Sequence, residues 1–70
     1  MSLDNFIAIV KIGKKYIGYE CCASIEYNSL EDYQQEPIVF RANSLKEAII
    51  AAQQETTEYG YCFVNLQKGD

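Results

Sequence analysis

The sequence predicts an α+β domain in which a small antiparallel β-sheet, ordered β-β-β-α-β, carries one amphipathic helix on one face. Short β-branched or alternating segments stand on both sides of one capped segment with helical periodicity. The chain has 70 residues, near the lower size at which a hydrophobic core offsets chain entropy. Its 49% hydrophobic and 23% charged residues are typical of a globular protein. We therefore expect one domain over 1–70, with 1–5 and 67–70 as flexible ends.

The first two strands are predicted at 6–12 and 16–27. Residues 6–12 are apolar, β-branched and too few for an independent helix. Gly13 suits the first central position of a two-residue type II′ hairpin loop, which needs a positive φ, and the alternative is a longer loop over the same stretch. Alternation then assigns one face to the helix, and Ile7, Ile9 and Lys11 to the opposite, uncovered face. The helix-covered face is expected to carry Phe6, Ala8, Val10, Ile12, Ile17, Tyr19, Cys21, Ala23, Ile25 and Tyr27.

A polar segment and a third strand follow. Residues 28–36 are acidic and are interpreted as an exposed loop. Within it Ser29, with Asp32 three residues later, is a pattern that begins a helical turn, and Pro37 would end that turn. Residues 37–42 are predicted as a strand, where proline at the first position removes no central ladder hydrogen bond.

The helix is predicted to begin at Ser44, because Ser44 and Glu47 match the capping box. Its apolar positions recur at helical spacing, at Leu45, Ala48, Ile49, Ala52 and Thr56. Gly60 stops the helix or turns the chain, and 61–66 alternate as the last strand. One helix covers only one face of such a sheet, so the other face must meet water or a partner.

Several classes of chemistry are disfavoured by composition. The chain has no histidine, so the Ser/His/Asp and Cys/His nucleophile systems are absent. Cys21, Cys22 and Cys62 are odd in number and two are adjacent, which is typical of reduced thiols rather than of a disulfide framework. Without a Cys-x-x-Cys, a zinc site would need acidic ligands or a second chain. We predict a protein that is not an enzyme, with no catalytic, cofactor-binding or metal-binding residues.

The N-terminal residues and the hydropathy pattern suggest the compartment. Asp4 stands where an export signal would carry basic residues. No apolar run approaches the roughly 20 residues needed to cross a bilayer. We therefore expect a cytoplasmic protein without a membrane partner.

The net charge of −4 is unevenly distributed, because no Lys or Arg occurs between Lys15 and Arg41 while five acidic residues do. This disfavours direct nucleic-acid binding, which depends on cations that neutralise phosphates. It favours a protein partner with a basic surface. The first candidate surface comprises Glu26, Glu31, Asp32, Tyr33 and Glu36, and the alternative interpretation is a plain solvated loop.

The second candidate surface is the uncovered sheet face, where alternation places Ile7, Ile9, Tyr16, Tyr61 and Phe63. The same alternation places Cys62, Val64 and Leu66 on the face that is expected to meet the helix. Aromatic residues are enriched at protein interfaces relative to the rest of the surface. The alternatives are burial of these side chains by strand twist, by a loop or by homodimerisation.

Two segments of the sequence and its overall properties resemble those of known protein families. Residues 59–66 resemble the RNA-recognition-motif consensus, with Gly60, Tyr61, Phe63 and Val64 at matching positions. Residues 40–48, a strand running into a capped helix, resemble the HicB-like antitoxins in their order of elements. The size, acidity and lack of catalytic residues resemble small phage proteins that block bacterial defence complexes, including anti-CRISPR proteins.

These observations favour a non-enzymatic, acidic protein-binding module. In this hypothesis the protein is an inhibitor that acts as a nucleic-acid mimic and occupies a basic, nucleic-acid-binding surface of a larger protein or complex. The alternatives are a structural homo-oligomer or assembly subunit, a HicB-like antitoxin, and a small RNA-binding module.

Overall fold

The computed structural model describes residues 4–55, 57 and 59–64. Within these ranges the elements are β1 Asn5–Ile12, β2 Lys15–Cys22, α1 Leu30–Gln34, β3 Ile38–Ala42, α2 Leu45–Gln53 and β4 Tyr61–Val64. The α+β class and the order of the predicted elements are confirmed, and the short helix α1 is an addition. The predicted contact of Thr56, the last two residues of the predicted β4, residues 1–3 and the tail 67–70 lie outside the described residues.

The four strands form one sheet in the order β3-β2-β1-β4. β2 pairs antiparallel with both β1 and β3, whereas β4 pairs parallel with β1. The sheet is therefore mixed, and the expectation of a wholly antiparallel sheet is wrong for this one pair. The reason is that α2 connects β3 to β4 across the sheet, and such a crossover returns the chain in its original direction.

The hairpin between β1 and β2 forms in the predicted register. Ile12 lies opposite Lys15, and Val10 lies opposite Ile17. Gly13 has a φ of 65°, and no described non-glycine residue has a positive φ. A two-residue loop with a positive φ at its first position alone has the φ signs of a type II′ turn.

The segment after β2 differs from its prediction. β2 ends at Cys22 instead of continuing to Tyr27, and α1 replaces most of the predicted loop. The Asp32 carboxylate accepts hydrogen bonds from the backbone amides of Asn28 (2.7 Å) and Ser29 (3.2 Å). These bonds satisfy donors at the start of α1 that have no helical partner, so the capping pattern in the sequence does start a helical turn here.

The helix α2 covers the sheet face that was predicted to be open. Ala48 and Ala52 of α2 are buried in one cluster with Ile7 and Ile9 of β1 and with Ala42 of β3. The small alanine side chains allow the helix to lie close to the strands. The predicted inner face is instead covered in part by the segment that contains α1, and Ala23 and Ile25 are exposed on the chain beyond β2.

The second core cluster occupies the face opposite α2. Its buried members are Ala8, Val10, Ile17, Tyr19, Cys21 and Tyr33, and Phe6, Tyr27, Leu30 and Val64 pack against it. The sheet therefore has a hydrophobic cluster on each face. Neither helix found in the described ranges has the length and apolar character that crossing a bilayer requires.

Candidate functional site

Acidic and basic residues lie at opposite ends of the β1–β2 hairpin, along the direction of the strands. Six carboxylates lie around the start of β1 and the end of β2; we call this region the acidic end, and it comprises Asp4, Glu20, Glu26, Glu31, Asp32 and Glu36. Four cations lie around the β1–β2 hairpin and the end of β3; we call this region the basic end, and it comprises Lys11, Lys14, Lys15 and Arg41. The acidic stretch of the sequence is thus joined by Asp4 at the end of the sheet where β1 begins and β2 ends.

Tyr27 connects the acidic end to the sheet. Its hydroxyl accepts a hydrogen bond from the backbone amide of Cys22 (3.0 Å) and donates one to the Glu36 carboxylate (2.7 Å). Its ring stacks on that of Tyr33, with centroids 4.8 Å apart, and meets the ring of Phe6 edge-on at 6.4 Å. Burial is the main cause that raises the pKa of Tyr27 above its usual value, and Glu36 raises it further. The hydroxyl therefore stays protonated and continues to donate.

The five residues of the first candidate surface lie in one region but in different environments. Glu26 and Glu31 are exposed, and neither makes a hydrogen bond or an ion pair with another described residue. Asp32 is half-buried at the start of α1, and half-buried Glu36 holds the Tyr27 hydroxyl. Tyr33 is only 9% exposed and belongs to the core, so its prediction as a contact residue on an exposed loop is wrong. Its ring stacks on that of Tyr27 instead of facing solvent.

Two residues of the acidic end, Asp4 and Glu20, are not in the first candidate surface, although Glu20 belongs to the acidic stretch of the sequence. Asp4 and Glu20 flank the paired ends of β1 and β2, where Asn5 lies opposite Cys22. The Asn5 side-chain amide donates to the Glu20 carboxylate at 2.8 Å. The Asp4 carboxylate accepts from the Cys22 thiol at 3.5 Å. The hairpin register in the sequence already places these residues at one end, because the pairing through Gly13 determines which residues of β1 and β2 are neighbours.

The second candidate surface is divided by α2. Ile7 and Ile9 are 1% and 0% exposed beneath the helix, so they are core residues and their prediction as an open surface is wrong. Tyr61 and Phe63 lie beside them in register on β4 but remain 40% and 49% exposed, because α2 packs mainly against β3 and β2. Tyr16 is half-buried, and its ring lies 6.4 Å from that of Phe63.

The opposite side of β4 also differs from its prediction. Cys62 and Val64 were expected to meet the helix, but Cys62 is exposed and Val64 packs against the core cluster on the face opposite α2. What remains of the second candidate surface is a narrow aromatic strip along the sheet edge, formed by Tyr61 and Phe63.

The three cysteines lie in different surroundings. Cys21, Cys22 and Cys62 are all free cysteines. Burial, with a smaller contribution from the charge of Glu36 and an opposing hydrogen bond with Tyr27, raises the pKa of the Cys21 thiol to about 11, so this thiol is protonated near neutral pH. Cys22 lies 3.0 Å from the Ser24 hydroxyl, beside Asp4 rather than beside a cation. In the ranges that the structure describes, no three Cys, Asp or Glu side chains are grouped to hold a metal ion.

The comparisons with known proteins give no relative. The sequence matches no protein-family model and no curated protein, and the fold matches no solved structure at a level that indicates a relationship. Its function is therefore inferred from the residues of this chain alone.

Proposed function

We propose that the protein is a non-enzymatic, cytoplasmic binding module whose acidic end occupies a basic, nucleic-acid-binding surface of a larger protein or complex. The observation that carries the proposal is the collection of six carboxylates at one end of the fold. Surfaces that bind phosphates present Arg and Lys, and an array of carboxylates is electrostatically complementary to such a surface.

The acidic end combines fixed and accessible carboxylates. Those of Glu20, Asp32 and Glu36 are held by hydrogen bonds to the protein, and Glu26 and Glu31 project into solvent. Because the backbone that carries these groups is already anchored through Tyr27, little further ordering is needed when a partner binds. Glu26 and Glu31 are then the residues that we expect to contact the partner's cations directly.

The proposed mechanism is competition for a phosphate-binding surface. A partner that uses Arg and Lys to hold nucleic acid would bind the acidic end with the same side chains, so the two ligands could not be bound together. Binding of this kind is driven largely by electrostatic attraction, which speeds association and weakens as salt is added. The protein would then act as an inhibitor, as in the small anti-defence proteins that it resembles in size and acidity.

A pull-down with three forms of the protein tests this proposal. The wild type, Glu31→Lys and Glu55→Lys are immobilised and incubated with host-cell lysate, and the bound proteins are identified by mass spectrometry. Glu55→Lys is the matched control, because it makes the same charge change at an exposed residue that follows α2, and α2 packs on the sheet face opposite the one that α1 covers. We expect the wild type and Glu55→Lys to retain a nucleic-acid-processing protein that Glu31→Lys does not retain.

Competition by nucleic acid distinguishes this mechanism from non-specific binding. The retained protein should be released by added duplex DNA or by RNA, since the nucleic acid and the acidic end would share one surface. Equal capture by all three forms, or capture that nucleic acid does not reverse, would contradict the proposal. Asp32 is left unchanged in this experiment because its carboxylate caps α1, and its replacement would alter the fold as well as the charge.

The aromatic strip of β4 favours a second candidate function, in which the protein is a homo-oligomer or assembly subunit. Tyr61 and Phe63 are exposed on an edge strand, together with Tyr59 at 63% exposure. Exposed apolar residues on a strand edge are a common site of self-association. Light scattering over a range of concentrations tests it, and a mass that stays that of the 8.0 kDa monomer would reject it.

A further inference from the structure

A groove lies on the sheet face opposite α2, over the half of that face nearer the hairpin. Its volume is about 540 Å³, and its lining comprises Ile12, Lys15, Ile17, Tyr19, Ile38, Arg41 and Asn43. The aromatic stack of Tyr27 and Tyr33 covers the other half of the same face, towards Cys21. The groove is therefore the part of this face that the α1 segment does not reach.

A β-bulge brings Ile38 into the groove. Gly18 pairs with Phe40, but the next residue, Tyr19, pairs with Ile38, so Val39 is an extra residue in β3. Val39 and Phe40 both pack in the cluster beneath α2, and Ile38 turns to the groove side, where it is 43% exposed. An apolar residue and a cation of β3, Ile38 and Arg41, consequently line one groove.

The edge of the sheet beside the groove is open. β3 is an outer strand, paired with β2 on one side. No described residue forms a backbone hydrogen bond with the other side of residues 38–42. An unpaired strand edge is a template on which an extended peptide adds as a further strand, and neighbouring pockets then select alternate side chains of that peptide.

The charge of the groove is opposite to that of the protein as a whole. Its only charged lining residues are Lys15 and Arg41, although the chain has a net charge of −4. The Lys15 ammonium donates to the Asn43 side-chain carbonyl at 3.0 Å, which orients it at the rim. Arg41 makes no ion pair or side-chain hydrogen bond with the residues that the structure describes.

We propose that this groove and the β3 edge form a second binding site, which takes an extended peptide with both apolar and acidic side chains. The peptide adds to β3 as a fifth strand. Its apolar side chains on the groove side contact Ile38 and reach towards Ile17, and an acidic side chain meets Arg41 and Lys15. The two ends of the protein then bind partners of opposite charge, so this site is independent of the function proposed for the acidic end.

A defined peptide tests the proposal by NMR on the full isotope-labelled chain. The probe is an acetylated and amidated peptide of about eight residues, long enough to span β3, with threonine at every second position and leucine, leucine, glutamate and glutamate between. We expect shifts in the backbone resonances of Ile17, Ile38 and Arg41 and slower amide exchange in β3. A version with lysine in place of glutamate, and a version with N-methylated amides at two successive central residues, should both bind at least about tenfold more weakly.

Matched variants assign the binding to the groove. Arg41→Glu should weaken binding by about tenfold or more, whereas Lys46→Glu, the same charge change at an exposed position of α2, should leave it unchanged. Circular dichroism checks that both variants are folded. Glu31→Lys should bind the peptide like the wild type, so that failure here and failure of the function proposed above are distinguishable.

Several outcomes would overturn the proposal. The absence of shifts with excess peptide, or shifts confined to the acidic end or to β4, would remove the groove as the site. Equal binding of the N-methylated peptide, which lacks the amide hydrogens on both sides of the strand at its centre, would exclude strand addition. Equal binding of the lysine peptide would exclude the role of Arg41 and Lys15. If the groove resonances shift when the protein alone is concentrated, its occupant is a second copy of the chain rather than a peptide partner.

Discussion

The two faces of the sheet are built in different ways. On one face, α2 lies close over aliphatic side chains through Ala48 and Ala52. On the other, the aromatic rings of Tyr27 and Tyr33 stack over the strands, and the Tyr27 hydroxyl joins Cys22 to Glu36. The α2 face therefore depends on the fit of small side chains, whereas the aromatic face depends on rings that also position the carboxylates of the acidic end.

The aromatic face supports the backbone that carries the acidic end, and the α2 face does not. A binding surface of charged groups needs a backbone that is held in place, yet charged groups themselves contribute little stability at a surface. The aromatic stack supplies that stability from beneath, because a buried ring contributes apolar area and a tyrosine hydroxyl still bonds to polar partners. Loss of the stack should therefore disturb the acidic end, while changes on the α2 face should alter stability alone.

The largest effect is expected from removal of the Tyr33 ring. Tyr33→Ala should lower the free energy of unfolding by about 3 kcal/mol, because it leaves a cavity beside Tyr27 and removes the buried anchor of α1. Tyr59→Ala, the same change at an exposed ring, should cost less than about 0.5 kcal/mol. Urea unfolding of both variants provides the comparison, and equal costs would show that the stack does not anchor the segment.

The α2 face should respond to an added methyl group. A β-carbon at Gly18 would fall within the ring of Phe40, so Gly18→Ala should cost about 2 kcal/mol through overpacking. In the double variant Gly18→Ala with Phe40→Ala, the added methyl group should cost much less than it does alone, since the ring is gone. Additive costs in the urea unfolding of the single and double variants would mean that the contact with Phe40 is not the cause.

The Cys21 thiol should make stability fall at alkaline pH. Its pKa rises from 9.0 to about 11 on folding, mainly through burial. Below pH 9 both states hold the proton; between pH 9 and 11 the unfolded state loses it while the folded state keeps it. Cys21 should therefore lower the free energy of unfolding by about 2 kcal/mol over this range, and Tyr27, whose pKa is raised from 10.0, adds to the loss from pH 10 upward.

Two cysteine variants test the alkaline effect. Cys21→Ala should be less stable at neutral pH, because it removes a buried side chain, but its stability should fall less steeply above pH 9. Cys22→Ala removes the neighbouring, half-buried thiol and should keep the full alkaline fall. If Cys21→Ala and the wild type give parallel curves in urea unfolding at several pH values, another group is responsible.

Much of the fold followed from local patterns. The alternation of β1 and β2 and the glycine at the hairpin determined the register, and Ser44 with Glu47 determined the start of α2. These are interactions between residues that are close in sequence, or are brought together by a two-residue loop. The start of α1 was visible for the same reason, since Asp32 bonds to amides three and four residues away.

The choice of face for α2 could not be predicted in this way. Both faces of β1 are apolar, because Ile7 and Ile9 alternate with Ala8 and Val10, so alternation identifies two faces without saying which one the helix covers. The face that α2 covers is determined by contacts between α2 and the strands, and these contacts join residues far apart in sequence. The candidate site was affected likewise: the acidic end was predicted from charge, but the burial of Tyr33 depends on its contact with Tyr27.

The smallest effect is expected when the Tyr27 hydroxyl alone is removed. Tyr27→Phe keeps the rings stacked but leaves the Cys22 amide without its acceptor and Glu36 without its donor, so it should cost about 1 kcal/mol. Phe6→Leu, which changes the edge-on neighbour of the same ring and keeps the hydroxyl, is the control for loss of packing. If Tyr27→Phe costs as much as Tyr33→Ala in urea unfolding, hydrogen bonds rather than stacked rings stabilise the aromatic face. The two faces would then differ in that one depends on polar interactions and the other on apolar packing. If it costs nothing, water replaces the hydroxyl, and the rings alone position the acidic end.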